Sequence, residues 1–268
     1  NLLLGTRNVK NLINKPLDSK IISFFETLSK EIFKDKITKK YEDLALFGFF
    51  IRSANTKKII GFVNAPVDKK IFNKKYLGVT EYLAHKNNVK NKEVMMIHNK
   101  KLSVVPLTTH LEIKNVTNKI SFDLIKVKTL TINKYYKKLF GKEPRIIVLG
   151  LNPHNSEDKI NSIESKIIAP SIINLQKLGI NIRGPYPADT AFSNQKKLKY
   201  DLIIGMYHDQ VLAPFKALFG YDAINITLGL KYLRISPDHG TAKDIIGLNK
   251  ANPESLLSAI NFLNKIND

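Results

Sequence analysis

A chain of 268 residues, 43% of them hydrophobic, can bury a sizeable core, and its length fits one large or two modest domains. It has no cysteine, which excludes disulfides, thiolate nucleophiles and cysteine-ligated zinc, so any metal must rest on histidine or carboxylate. The formal charge of +20 comes from 43 basic residues, 38 lysines and only five arginines (Arg7, Arg52, Arg145, Arg183, Arg234); these form no basic block interleaved with aromatics, so the charge suits anionic small substrates and not nucleic acid.

Asn1-Leu2-Leu3-Leu4-Gly5 is apolar but lacks the basic leader and extended core of a signal peptide. Ile21, Phe24, Phe25, Leu28 and Ile32 recur at helical spacing and predict an amphipathic helix over 18–34, capped by Asp18 or Ser19. The longest apolar patches, Leu44 to Ile51 and Ile146 to Leu151, are too short to span a membrane, so a soluble cytoplasmic chain with no membrane partner is expected. Lys58 to Val63 reads as a strand leading into a loop at Asn64-Ala65-Pro66. Glu93 to Ile97 and Leu102 to Val105 flank the polar turn His98-Asn99-Lys100-Lys101 and predict a hairpin.

A long helix is expected over 117–140, with Ile120, Leu124, Ile125, Leu130, Tyr135 and Leu139 on its buried side and Gly141 as its stop. A strand at Arg145 to Gly150 follows, then a helix through Ile163 to Leu178 and strands at Leu198 to Met206 and Asn225 to Leu228. Pro253, Leu256, Leu257, Ile260, Leu263 and Ile266 mark a terminal helix, with Asn252 as its cap and Pro253 at its first position. Alternating strands and helices argue for an α/β fold whose sheet is mixed or largely parallel and flanked by helices. A Gly-x-Gly-x-x-Gly fingerprint is missing, so an ordinary Rossmann dinucleotide site has no support.

Three of the six histidines follow expected strands: His110, His154 and His208. Their separations of 44 and 54 residues exclude a local helical motif. Strand-end imidazoles can still converge on a divalent metal, although on residue type alone ordinary loop histidines fit as well. His85 and His98, set among Lys and Asn, are expected at the surface. The stretch from Ser236 to Gly247, with Asp238-His239-Gly240-Thr241-Ala242-Lys243-Asp244 at its centre, reads as a loop running into a helix, suited to a close-lying ribose or phosphate, although on residue type alone an ordinary tight turn with a helix start fits better. Lys216, Asn225 and Arg234 supply the cations and amide that a phosphate or carboxylate needs, Arg234 being the most informative because arginine is rare here.

From about Asn64 onward, these motifs in this order resemble the 4-hydroxythreonine-4-phosphate dehydrogenase family. The resemblance is densest in Leu107-Thr108-Thr109-His110-Leu111, Gly150-Leu151-Asn152-Pro153-His154, Gly184-Pro185-Tyr186-Pro187-Ala188-Asp189-Thr190, Met206-Tyr207-His208-Asp209-Gln210, Asn225-Ile226-Thr227-Leu228-Gly229-Leu230 and Ser236-Pro237-Asp238-His239-Gly240-Thr241-Ala242. It implies a fold similar to isocitrate and isopropylmalate dehydrogenases, a single dehydrogenase domain over 1–268 with two subdomains and a cleft, and a homodimer with its active site at the interface. His110, His154 and His208 would be the ligands of one divalent metal (zinc, cobalt or magnesium), contributed by both subunits. Thr80, Lys216, Asn225 and Arg234 would hold a small phosphorylated substrate. His239, Gly240, Thr241, Ala242, Asp244 and Asn252 would lie near the adenosine end of NAD.

The implied reaction, in vitamin B6 biosynthesis, oxidises 4-phosphooxy-L-threonine to a β-keto acid that decarboxylates to 3-amino-2-oxopropyl phosphate. Asp209 and Lys216 are candidates for the base by neighbourhood. The chain departs from the family in lacking its early Gly-rich segment, in Val79 where a substrate-contacting histidine is usual, in Asn155-Ser156 for Ala-Gly after His154, in Val211 for a common glycine and in Lys231 for a proline. These departures leave room for a paralogous dehydrogenase of another phosphorylated hydroxy acid, a metal-binding protein with impaired catalysis, or, more remotely, a metal-dependent hydrolase.

Overall fold

Among the described residues, short aliphatic and β-branched runs form eight strands: β1 (Gly61–Val63), β2 (Val94–His98), β3 (Ser103–Thr108), β4 (Ile146–Leu149), β5 (Ile182–Tyr186), β6 (Leu202–Tyr207), β7 (Ile224–Leu228) and β8 (Leu233–Pro237). The structure is a computed structural model that describes residues 61–64, 66, 76, 78–89, 92–193, 199–245, 248 and 250–267. The expected helix over 18–34, the patch Leu44 to Ile51 and the first residues of the Lys58 to Val63 strand lie outside them. The strands make one sheet in the order β1-β8-β7-β2-β3-β6-β4-β5. Pairs β1–β8, β3–β6, β4–β6 and β4–β5 are parallel and the other three antiparallel, so the sheet is mixed, as expected. The expected hairpin is β2–β3, with Ile97 opposite Val104 and His98 opposite Ser103.

The α-helices among the described residues are α1 (Val79–Lys86), α2 (Ile113–Lys119), α3 (Phe122–Phe140), α4 (Ala169–Lys177), α5 (Ala188–Ala191), α6 (His208–Phe219) and α7 (Glu254–Asn267). Because strand side chains alternate between faces, neighbours in sequence enter different cores. Val94, Met96, Val105, Ile146, Ile204 and Ile226 pack with Ile125 and Ile132 of α3, Ile172 of α4 and Ala259 of α7. Met95, Ile97, Val104, Ile147 and Ile203 pack on the other side with Val211, Leu212 and Phe215 of α6. The α6 side also carries the polar residues described below.

Three local expectations need correction. The single helix over 117–140 is two helices: Ile120 and Ser121 are extended, and the Ser121 hydroxyl accepts from the Leu124 N–H at 3.2 Å, a side-chain cap that starts α3 afresh. Gly141, at φ 69°, does stop it. Leu130 is exposed while Thr129 takes the buried position, because Thr129 lies one turn from the buried Ile125 and Leu130, five residues on, points away from that side. His98 is not a surface residue: its ring centre lies 4.6 Å from that of Phe140 and 5.6 Å from that of Phe262, and burial pulls its pKa down to about 4. His85 is exposed, as expected. At α7 the Asn252 side chain accepts from the Glu254 N–H at 2.8 Å, the expected cap. No described helix is long and apolar enough to cross a membrane.

Candidate active site

β3 and β6 are parallel neighbours with Thr108 opposite Tyr207, so the residues that follow the two strands emerge side by side. His110 and His208 are those residues, and their ring centres are 6.1 Å apart. His110 Nδ1 lies 3.1 Å from Glu81 Oε1, and His208 Nδ1 lies 2.7 Å from Asp209 Oδ1. Two imidazoles bound to one ion at about 2 Å hold their ring centres about 5 Å apart, somewhat closer than this pair stands. His154 follows β4 but is exposed, and among the described residues no group of three or more His, Cys, Asp or Glu is placed to hold a metal. One chain therefore brings together His110 and His208 but does not add His154 to them.

The position of His154 has a local cause. His154, Asn155, Ser156 and Glu157 have φ of 49°, 54°, 60° and 50°, four successive left-handed residues in the segment Pro153–Asp158. Each costs about 1–2 kcal/mol outside glycine. The cost is offset by Glu164, a buried carboxylate in the π-turn Glu164–Ile168 ahead of α4. It accepts from the backbone of Leu151 (2.9 Å) and Asn152 (2.8 Å), from the Asn152 amide (3.2 Å) and from the Ser156 hydroxyl (2.6 Å). Burial alone would raise the Glu164 carboxyl; the Ser156 and Asn152 donors bring it below the usual carboxylate range. The Asn155 amide donates to the Pro185 carbonyl at 3.0 Å. Asn155 and Ser156, two of the chain's departures, thus tie this loop down.

The anion-binding candidates lie on α1, α6, β7 and β8. Arg234 is buried; its Nε donates to Asn64 Oδ1 at 2.6 Å and its Nη1 to Thr227 Oγ1 at 3.1 Å. Burial lowers its pKa to about 10, against the field of Glu81. Thr227 faces Arg234 across the β7–β8 ladder and Asn225 faces Ser236, so alternation puts Asn225 and Arg234 on one face of the sheet. The buried Asn225 Oδ1 has no hydrogen-bond partner among the described residues. Thr80 stands in the first turn of α1, beside Glu81, where Gly78 offers no side-chain cap to the backbone N–H groups. Lys216 Nζ donates to the Asp238 carbonyl at 2.8 Å and pairs with Asp238 Oδ2 at 3.2 Å. Burial raises the Asp238 carboxyl while Lys216, His239 and His208 pull it the other way. The fields of Glu81 on Arg234 and of His208 on Asp238 join these groups to the histidine pair.

The profile of the pyridoxal phosphate biosynthetic protein PdxA family matches residues 40–263. The chain belongs to that family. A curated 4-hydroxythreonine-4-phosphate dehydrogenase from Bradyrhizobium diazoefficiens is 40% identical over 212 residues, 76% of this chain and 61% of that protein. Its counterpart from Aquifex aeolicus is 40% identical over 214 residues, 78% of this chain and 66% of that protein. The crystal structure of the Klebsiella pneumoniae 4-hydroxythreonine-4-phosphate dehydrogenase superposes with a TM-score of 0.71 at 32% identity, over 81% of this chain and 67% of that one. The chain spans about three fifths of the length of the first of these relatives.

Within this family member, the loop expected near a nicotinamide cofactor is open. Gly240, Thr241, Ala242 and Asp244 are exposed and His239 half-buried, with the His239 Nδ1 donating to the Gly240 carbonyl at 2.9 Å. Among the described residues a side chain at Gly240 would meet nothing within 4 Å, which leaves room for a ligand to approach the backbone. The helix expected to follow is a short 3-10 turn, Lys243–Ile245. Asn252 is engaged in capping α7. Sequence reasoning missed Glu81, Asn64, Thr227, Asp238 and Glu164, each of which acts by holding a candidate residue in place. Glu81 carried the one readable signal, an acid in a first helical turn two residues from the departure at Val79.

Proposed function

We propose that this chain is an NAD-dependent and divalent-metal-dependent dehydrogenase of the cytoplasm that oxidises 4-phosphooxy-L-threonine to a β-keto acid, which then decarboxylates to 3-amino-2-oxopropyl phosphate. It works as a homodimer, in which His154 of a second copy completes the ligand set that His110 and His208 begin. The observation that supports this reading most is the facing pair His110 and His208 in the same neighbourhood as the buried Arg234. The similar relatives above carry the corresponding name.

In this reading Arg234, Lys216, Asn225 and Thr80 bind the phosphoryl end of the substrate, to whose oxygens, all acceptors, the Asn225 amide NH2 donates. Lys216, already paired with Asp238, serves as a cation for that group. Asp209 spends Oδ1 on His208, which favours a positioning role over that of base. The residues 239–242 offer exposed backbone to the adenosine of NAD. The metal, when bound by the three histidines, supplies Lewis acidity that lowers the hydroxyl pKa and polarises the new carbonyl. The residues' own work is to fix the hydroxyl-bearing carbon between the histidine pair and the phosphoryl anchor, which converts binding energy into orientation.

Val79 favours a second reading, a paralogous dehydrogenase of another phosphorylated hydroxy acid, because valine in the first turn beside Thr80 donates no hydrogen bond. NADH release from 4-phosphooxy-L-threonine and from a four-carbon sugar-acid phosphate, each with and without added divalent metal, tests both. Metal-dependent NADH release with the first substrate supports the main reading. Turnover of the second alone moves the assignment to the paralogue, and turnover of neither rejects both.

A further inference from the structure

A histidine that is to give Nε2 to a metal must carry its ring proton on Nδ1, and something must hold it there. A carboxylate only accepts hydrogen bonds, so both contacts, His110 Nδ1 to Glu81 Oε1 and His208 Nδ1 to Asp209 Oδ1, require the proton on Nδ1. The Glu81 contact is built from several sides. Thr109 Oγ1 donates to the same Oε1 at 3.3 Å and so anchors it. A side chain at Gly78 would come within 3.1 Å of Glu81 Oε2 and 3.6 Å of His110 Cε1, so glycine there lets the carboxylate and the ring close up. The His110 backbone itself is held at φ 41°, a conformation that the two side-chain contacts help to secure.

We infer that Glu81 and Asp209 are positioning residues that fix His110 and His208 as Nδ1–H tautomers and so turn both Nε2 lone pairs toward one shared point. The inference rests on the metal reading for its purpose but not for its test. It moves Asp209 from candidate base to orienting group and gives Glu81 a task that its place two residues beyond Val79 does not advertise. The two are unequal: the Glu81 side chain is 21% exposed and the Asp209 side chain 80%, so water competes far more for the second contact. Glu81 therefore fixes its ring more firmly than Asp209 does.

The test is a long-range proton–nitrogen-15 spectrum of the purified metal-free chain at a pH where its histidines are neutral, with a Co2+ titration in parallel. The parent should show His110 and His208 as Nδ1–H tautomers, the minor form of histidine in water. Glu81→Ala should turn His110 toward the Nε2–H form and weaken Co2+ binding about 10- to 100-fold. Asp209→Ala should do the same to His208 with a smaller loss. Glu81→Gln retains an acceptor oxygen and should restore most of the His110 tautomer, which a purely structural role for Glu81 does not predict.

Nε2–H tautomers at both rings in the parent overturn the inference, as do alanine variants that change neither tautomer nor Co2+ affinity. If Glu81→Ala does not fold, Asp209→Ala, at an exposed carboxylate, decides in its place. A parent that shows both Nδ1–H tautomers yet takes up no Co2+ upholds the inference and rejects the metal reading instead.

Discussion

Arg234 and Thr227 stand opposite one another on the antiparallel strands β8 and β7, and the threonine hydroxyl accepts from the guanidinium at 3.1 Å. With Asn64 on Nε, two of the guanidinium's donor groups are spent on holding it in place. A planar fork fixed in this way has little side-chain freedom left to lose on binding the anion proposed for it.

Arg234→Lys keeps the charge but loses the fork. The substrate KM should rise at least about tenfold, the effect of losing roughly one charge-assisted hydrogen bond of 1.5–3 kcal/mol. Stability should fall by about 1–3 kcal/mol, because the buried Asn64 and Thr227 oxygens lose donors. Steady-state kinetics and urea unfolding measure the two separately. A KM unchanged beside a loss of stability would leave Arg234 as a packing residue alone.

How much of this was legible in the sequence depended on range. The β2–β3 hairpin, the Gly141 stop and the Asn252 cap are set by neighbours in the chain, and each was readable. The break before Ser121 was not, because the apolar spacing runs through Ile120 and Leu124 without interruption and only the serine side chain marks the restart. His98 was misplaced because its sequence neighbours are polar while its ring reaches Phe140 and Phe262, 42 and 164 residues away. At the site, residue type pointed to His110, His208 and Arg234. Thr227 stayed hidden, since a hydroxyl that holds another side chain has no signature of its own, and Glu81 was marked only as an acid in a first helical turn close to Val79.

His98 gives stability a pH dependence whose sign is fixed. Its folded pKa is about 4 against an ordinary 6.5, so above pH 6.5 it is neutral in both states and its burial carries no charging penalty. Between pH 6.5 and 4 the unfolded chain binds the proton and the folded chain does not, so stability drains away as pH falls through that window. The loss should total about 3 kcal/mol for this residue. Urea midpoints at several pH values, for the parent and for His98→Gln, isolate the contribution as a difference in slope. Equal slopes would show that the ring is reached by water.

Val211, one of the departures from the family pattern, interlocks with Gly205. A side chain at Gly205 would come within 2.4 Å of Val211 Cγ1 and 3.0 Å of Gln210 Oε1, where β6 passes beneath α6. Gly205→Ala should therefore cost about 1–3 kcal/mol by overpacking. In a Val211→Gly background the same substitution should cost much less, since the obstructing methyl is gone. Thermal unfolding of the two single variants and the double variant closes the cycle, and additive losses would refute the interlock.

Glu164 is the last test, because the presentation of His154 hangs on it. Glu164→Gln replaces charge-assisted hydrogen bonds with weaker neutral ones: its oxygen stays on the Leu151 and Asn152 N–H groups while its NH2 group turns to the Ser156 hydroxyl, which must switch from donor to acceptor. The expected loss is about 1–3 kcal/mol, with faster amide hydrogen exchange at Leu151 and Asn152 as its local sign. Ser156→Gly should behave differently. It removes the 2.6 Å hydrogen bond but places glycine at φ 60°, where a side chain is strained, so the two effects nearly cancel and stability should stay within about 1 kcal/mol of the parent. Exchange at Leu151 and Asn152 should stay slow in that variant, since their bonds to Glu164 remain. Fast exchange after Ser156→Gly with slow exchange after Glu164→Gln would reverse the assignment and make the serine, not the carboxylate, the residue that holds the loop.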